Sequence, residues 1–250
     1  MTVRLRIVGP GRAGRSLAAA LEGRGWSVVD LLGRGDDVTD AAAGVDLVVI
    51  ATPDAAIAPV ARAIEPRPDT VVAHLAGSLG LEVLAPHPRR AAVHPLMALP
   101  DPETGARRLR SGGWFAVAGD PVAGRIVDAL GGRAFTIADD DRALYHAAAV
   151  VASNHLVALL GQAERLGRRA GVPLEALVAL ARGSLDDVDA LGPARALTGP
   201  AARGDEETIA RHRAAVGAGE LAAYDALAAE ARRLAADRRR GSAHEEDTGA

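Results

Sequence analysis

Neither cysteine nor lysine occurs among the 250 residues. Without cysteine there is no disulfide, no thiolate nucleophile and no cysteine-held metal. Without lysine there is no lysine Schiff base, no P-loop lysine and no lysine proton donor. An excess of charge is missing too. The 29 basic residues, all arginine, face 32 acidic ones and leave a net charge of −3, too little to draw the chain to nucleic acid or to a membrane surface. No apolar run reads as approaching the ~20 residues of a membrane span, and the N-terminus lacks a signal-peptide layout. The chain shows no repeats. The expectation is a soluble, cytoplasmic protein with no nucleic-acid or membrane partner and no metal site.

What is present is a globular composition, 49% apolar, in a pattern that changes once. Short apolar runs at 3–8, 28–32, 46–51, 71–74, 91–94, 114–118 and 134–137 read as strands, with helices at 12–23, 54–64 and 121–130. The run at 46–51, DLVVIA, is almost continuously apolar, as in a strand buried on both faces. Such alternation predicts a parallel, doubly wound sheet. After 138–141 the strands cease. A long helix at 141–170 is stopped by Gly171, and another at 173–185 opens on Pro173. Helices at 206–216 and 220–238 follow. The fold class is therefore an α/β Rossmann-like N-terminal domain (1–139) with an all-α C-terminal domain (140–238) and a disordered polar tail (239–250).

The first strand ends in Gly9-Pro10-Gly11-Arg12-Ala13-Gly14 and a helix follows. In such a loop the first glycine allows the turn, the second lets backbone approach a pyrophosphate and the third lets helix and strand pack closely. The free N–H groups of the helix start then face the phosphates. Strand, loop and helix in that order point to dinucleotide binding. Asp30 is near the place of the acid that holds the ribose of NAD, but two further strand residues follow it. Arg34 stands at the strand's end, where a guanidinium pairs with the 2′-phosphate of NADP. NADP is the first choice and NAD the second. Ala51, Thr52 and Pro53 close the third strand and would cover the nicotinamide-side phosphate and ribose, with Asp54 capping the next helix. His74 and Gly77 follow the fourth strand and His94 the fifth. Each histidine either faces the cofactor crevice or is bonded to loop backbone.

In the helical half, His146, Val150 and Asn154 fall at i, i+4 and i+8 and would share one stripe. Two polar groups there need partners, either a substrate or a neighbouring helix. The stretch ALTGPAARGDEETIARH interrupts the helices with two glycines and a proline. Asp205 is placed to cap the helix from Glu206, and Glu206 and Glu207 suit its dipole. Capping leaves Thr198 and Arg203 unexplained. Arg203 either binds an anionic group of a substrate, with Thr198 adding a hydrogen bond, or closes an internal salt bridge.

The glycine loop, Arg34, ATPD, HLAG, HPL, YHAAAVVASN and LTGPAARGD, in this order, resemble a bacterial family that joins an NADP-binding Rossmann domain to a helical domain of unknown function. More remotely the layout is similar to pyrroline-5-carboxylate reductase, the deazaflavin-dependent NADP reductases and the 6-phosphogluconate dehydrogenase superfamily. The resemblance implies a nicotinamide lying between two domains and a homodimer formed through the helical one. It also marks two departures. Where the hydroxyacid-dehydrogenase branch carries a lysine one turn before an asparagine, this chain has Val150 before Asn154. Where relatives read His-x-Ser-Gly, it has Ala76. Without that lysine, proton transfer falls to His146, with Tyr145 and His94 as rivals. The expected function is an NADP-dependent oxidoreductase acting on a small C=O or C=N compound that carries a carboxylate. The competing readings are a non-catalytic dinucleotide-binding sensor or partner subunit, and a dimeric scaffold that binds nothing.

Overall fold

The computed structural model describes residues 2–247, with side chains to residue 240. Packing divides it into two compact units, 1–153 and 154–250, a later division than the change of sequence pattern at 138–141.

The first unit is built on seven strands: β1 (Val3–Val8), β2 (Trp26–Leu32), β3 (Leu47–Ile50), β4 (Val71–His74), β5 (Arg90–Pro95), β6 (Trp114–Gly119) and β7 (Arg133–Thr136). Their order across the sheet is β2-β1-β3-β4-β5-β6-β7. Strands β1 to β5 are parallel, so their carboxyl ends share one edge. Strand β6 departs from the expected parallel arrangement and runs antiparallel to β5, with β7 parallel to β6. The reason is the link between β5 and β6. It holds only a short helix, α3 (Pro102–Leu109), and the backbone N–H of Leu96 already bonds the carbonyl of Trp114. The chain thus turns back at the edge where β5 ends.

Both faces of the sheet are covered. Leu47 and Val49 of β3 join one buried cluster with Leu5, Ile7, Leu17 and Phe115. Val48 and Ile50 join another with Ile57, Ile64, Val72 and Leu84. This two-sided burial is why the β3 run is continuously apolar, and each such side chain contributes about 1.5–3 kcal/mol. The covering helices are α1 (Arg12–Leu21), α2 (Asp54–Ala63), α3 and α4 (Val122–Ala129). The unit closes with α5 (Arg142–Val150).

A single wider π turn, Val151–His155, separates α5 from α6 (Leu156–Arg169). That turn breaks the even spacing on which a shared stripe for His146, Val150 and Asn154 depends. Within the helical stretch 139–169 an 18-residue window, with a mean hydropathy of 1.5, is also apolar enough, by length and composition alone, to cross a membrane. This corrects the reading that no run approaches that length. His, Ser, Asn and Gly interrupt it to the eye, but no charged residue lies between Arg142 and Glu164.

The second unit continues with α7 (Leu174–Leu191), α8 (Pro193–Ala196), α9 (Pro200–Arg203), α10 (Glu206–Ala215) and α11 (Ala218–Asp247). The tail expected from 239 begins inside α11, and residues 248–250 lie outside the described residues. Polar ties are prominent. Arg165 grips both oxygens of Glu220 at 2.5 and 2.9 Å, and Arg232 grips Glu206 at 3.0 and 2.6 Å. Among the described residues, the buried apolar side chains of this unit are Ala202, Ile209 and Ala235, and α7 contributes none.

Candidate active site

The edge where β1, β3, β4 and β5 end carries most of the residues singled out in the sequence. Gly9 has φ +106°, a conformation that favours glycine, and a Cβ there would lie 2.7 Å from the carbonyl carbon of Ala51. A Cβ on Gly14 would collide with the carbonyl oxygen of Gly9 and reach Ala51 Cβ at 3.2 Å. Internal packing therefore requires these two glycines. It does not require Gly11, whose missing Cβ would meet nothing within 4 Å. That open surface borders the start of α1, where Gly11 is the N-cap and neither a side-chain cap nor an acidic residue occupies the first turn. The leading N–H groups, those of Arg12, Ala13 and Gly14, remain available for an anion. A pyrophosphate fits this cradle.

The other dinucleotide candidates flank it. Asp30 lies within β2 and its carboxylate accepts the N–H of Leu31 at 2.9 Å. Arg34 stands past the strand, exposed and without a hydrogen bond or ion pair, in a turn pinned by Gly33 N–H to Asp36 Oδ2 at 2.6 Å. At the end of β3, Thr52 Oγ1 is buried with no hydrogen-bond partner. Pro53, not Asp54, is the N-cap of α2. The Asp54 carboxylate, one position too late to cap, instead accepts the hydroxyl of Ser78 at 2.8 Å.

The two strand-end histidines differ. His74 is wholly buried. Its Nδ1 accepts the N–H of Ala76 at 3.2 Å, which leaves Nε2–H to donate to the carbonyl of Gly80 at 3.2 Å. Burial pushes its pKa down. It is bonded to loop backbone and braces the turn 77–80. His94 instead shares a 2.6 Å hydrogen bond between Nδ1 and the Tyr145 hydroxyl. Burial, and then the neighbouring His146, push its pKa down to about 4, so it is neutral near pH 7. Burial raises the Tyr145 pKa above its ordinary value, so the phenol keeps its proton.

These side chains form one aromatic cluster. The Tyr145 ring meets those of His94 and Phe135 edge-on at 5.6 and 5.7 Å, and His94 meets His146 at 5.8 Å. Such edge-to-face pairs fix ring orientation. Gly77 closes against them: a Cβ there would be 2.8 Å from both His146 Nδ1 and His94 Cε1. His146 Nδ1 is buried and has no partner. One turn before it on α5, Arg142 is the largest fully buried side chain. Its Nε donates to Asp139 Oδ1 at 2.8 Å, while Nη1 and Nη2 are buried and unpartnered.

The remaining candidates belong to the helical unit. Asn154 lies in the π turn. Thr198 borders a mainly apolar cavity of about 260 Å³ together with Gln162, Ile209 and Tyr224. Arg203 ends α9, a helix bracketed by Gly199 (φ +87°) and Gly204 (φ +70°). Its guanidinium is exposed and makes no ion pair, so the internal salt bridge weighed for it is not formed. Asp205 does cap α10, accepting the N–H of Thr208 at 3.0 Å.

Two stretches match known family models: residues 34–100 a Rossmann-like domain, and residues 116–231 a domain of unknown function, DUF2520. The chain pairs a Rossmann-like domain with DUF2520. No curated protein matches it. Among solved structures, protein TM1727 from Thermotoga maritima is 26% identical, with 94% of this chain and 99% of that one aligned at a TM-score of 0.71. BF3122 from Bacteroides fragilis, provisionally named an NADP oxidoreductase, is 21% identical over 95% and 98% at 0.71. Pyrroline carboxylate reductase from Plasmodium falciparum, with NADP bound, is 14% identical over 93% and 98% at 0.61.

Sequence reasoning missed two members of the Rossmann–DUF2520 site. Phe135 reads as an ordinary strand residue. Arg142 is not singled out in the sequence, although its place three and four residues before Tyr145 and His146 puts all three on one helix face.

Proposed function

We propose that this Rossmann–DUF2520 protein is an NADP-dependent oxidoreductase that moves a hydride between the nicotinamide and a small C=O or C=N compound. The supporting observation is a set of unsatisfied groups at the carboxyl edge of one sheet: bare backbone at Gly11, and the partnerless Thr52 Oγ1 and His146 Nδ1. A buried polar atom without a partner costs about 1–3 kcal/mol, and an outside donor or acceptor relieves that cost. The NADP carried by the pyrroline carboxylate reductase relative supports the choice of dinucleotide.

When bound, the dinucleotide supplies the transferable hydride. The chain's residues do the rest. Gly9, Gly11 and Gly14 admit the pyrophosphate to the N–H groups of Arg12 and Ala13. Arg34 pairs with the 2′-phosphate, and Ala51, Thr52 and Pro53 line the ribose on the nicotinamide side. His146 carries the proton exchanged with the substrate heteroatom. Tyr145, steadied by neutral His94, borders it, and Gly77 and His74 hold the turn against these rings.

The same reading makes the protein a homodimer through its helical unit. Leu180 is 69% exposed and Leu185 51%, on a helix with no buried residue, and a second copy is the natural cover for so large an apolar surface. Light scattering in the presence and absence of detergent tests this, a monomer in both arms being the result against it.

Titration calorimetry with NADPH and NADH, followed by NADPH oxidation over 2-oxo acids and cyclic imines, tests the activity. Binding and turnover are expected, with His146→Ala abolishing turnover while sparing NADPH affinity. Full turnover in His146→Ala removes the proton role. Absence of heat with either nucleotide overturns the reading, and binding without turnover makes the protein a sensor.

A further inference from the structure

The guanidinium of Arg142 is the least satisfied charged group in the Rossmann unit. Its side chain is 1% exposed, its one ion pair runs through Nε to a half-exposed Asp139, and both Nη atoms are buried with no acceptor. Glu82 is nearby, since a Cβ on Gly80 would collide with its carboxylate and lie 2.8 Å from Asp139 Oδ2, but Glu82 makes no ion pair with Arg142. Leaving a buried charge half paired is costly, and an anionic ligand is a group that would complete the set. The two free Nη edges form a fork matched to a planar carboxylate. Arg142 and His146 are one helical turn apart on one face, about 6 Å along the axis, and the turn 77–80 runs beside both: Gly77 against His146, and Gly80 against Asp139.

We propose that Arg142 is the carboxylate-binding residue of this site, so that the substrate is a small organic acid whose C=O or C=N lies a few bonds from its carboxylate. This inference rests on the oxidoreductase reading. The carboxylate takes the Nη fork, and the reducible carbon is then held beside His146.

Acetate, with acetamide as its uncharged match, probes the fork without requiring turnover. The protein, with and without NADP, is labelled with ¹⁵N-arginine and titrated with each. The Arg142 guanidinium resonances, identified by their loss in Arg142→Gln, are expected to shift saturably with acetate and not with acetamide. Acetate affinity by calorimetry is expected to fall at least about tenfold in Arg142→Gln, the scale for losing a hydrogen bond to a charged group. It should fall less in Arg142→Lys, which keeps the charge and lacks the fork and serves if the glutamine variant does not fold. Unmoved resonances, equal acetate affinity in the variants, or loss on Arg203→Ala instead would overturn the assignment. Nucleotide binding, read in the same samples, reports separately on the oxidoreductase reading.

Discussion

Tyr145 and His94 share a 2.6 Å hydrogen bond that joins the first helical turns after the sheet to the end of β5. One partner is a phenol that keeps its proton and the other an imidazole kept neutral by burial. The pair is a fixed wall beside His146. In Tyr145→Phe the His94 Nδ1 is left buried without its partner, at a cost of about 1–3 kcal/mol. The expected outcome is a matching fall in melting stability and a drop in kcat, with NADPH affinity unchanged. Thermal unfolding and single-turnover kinetics check it, and unchanged kcat would mean that the pair does not shape the site.

Acid should destabilise the fold through its buried imidazoles. His94 has a pKa of about 4 in the folded chain against an ordinary 6.5, so between these values the unfolded chain binds more protons. Stability is therefore fullest above pH 6.5 and is lost as pH falls toward 4, by up to about 3 kcal/mol from this residue. His74 and His87 act in the same direction, each lowered chiefly by burial. Denaturant unfolding from pH 7.5 to 4 should show the decline, and His94→Asn should flatten it.

Two glycines of the phosphate loop, Gly11 and Gly14, should respond differently to alanine. Gly14→Ala collides with backbone inside the fold and should lower stability. Gly11→Ala meets open space, so the fold should keep its melting temperature while nucleotide affinity falls, because the added methyl enters the room a pyrophosphate needs. Melting curves and nucleotide calorimetry on both variants make the comparison. Undiminished affinity in Gly11→Ala would show that the cradle is not used.

Arg34→Ala should discriminate between nucleotides. A lost hydrogen bond to a charged group is worth about 1.5–3 kcal/mol, so NADPH affinity should fall roughly 10- to 150-fold while NADH affinity holds. Equal losses for both would assign Arg34 another role.

Much of this molecule is legible in its residues. The β3 run, the glycine loop and the cap at Asp205 obey local rules, and local rules are what a sequence displays. Helix α3 carries a start signal as well: Asp101 accepts the N–H of Thr104 at 2.8 Å, with Pro102 in the first turn. It escapes notice because it is short and strongly polar. The reversal of β6 depends on which edge the chain leaves, and no local pattern encodes that. His74 and His94 both stand near the carboxyl ends of parallel strands, yet one is consumed by backbone and the other faces a phenol. The path of the following loop decides between them. The π turn is hidden because its residues would suit an ordinary helix equally well.

Trp114 opens β6 with 47% of its surface exposed, and its ring lies 6.2 Å from Phe135, which in turn packs on Tyr145. The other tryptophan, Trp26, is sealed in the core at 4%. The protein thus carries an intrinsic optical gauge. Any shift of the tyrosine in the site reaches the exposed indole through a single intervening ring, and its emission should change colour while the sealed indole supplies a constant reference.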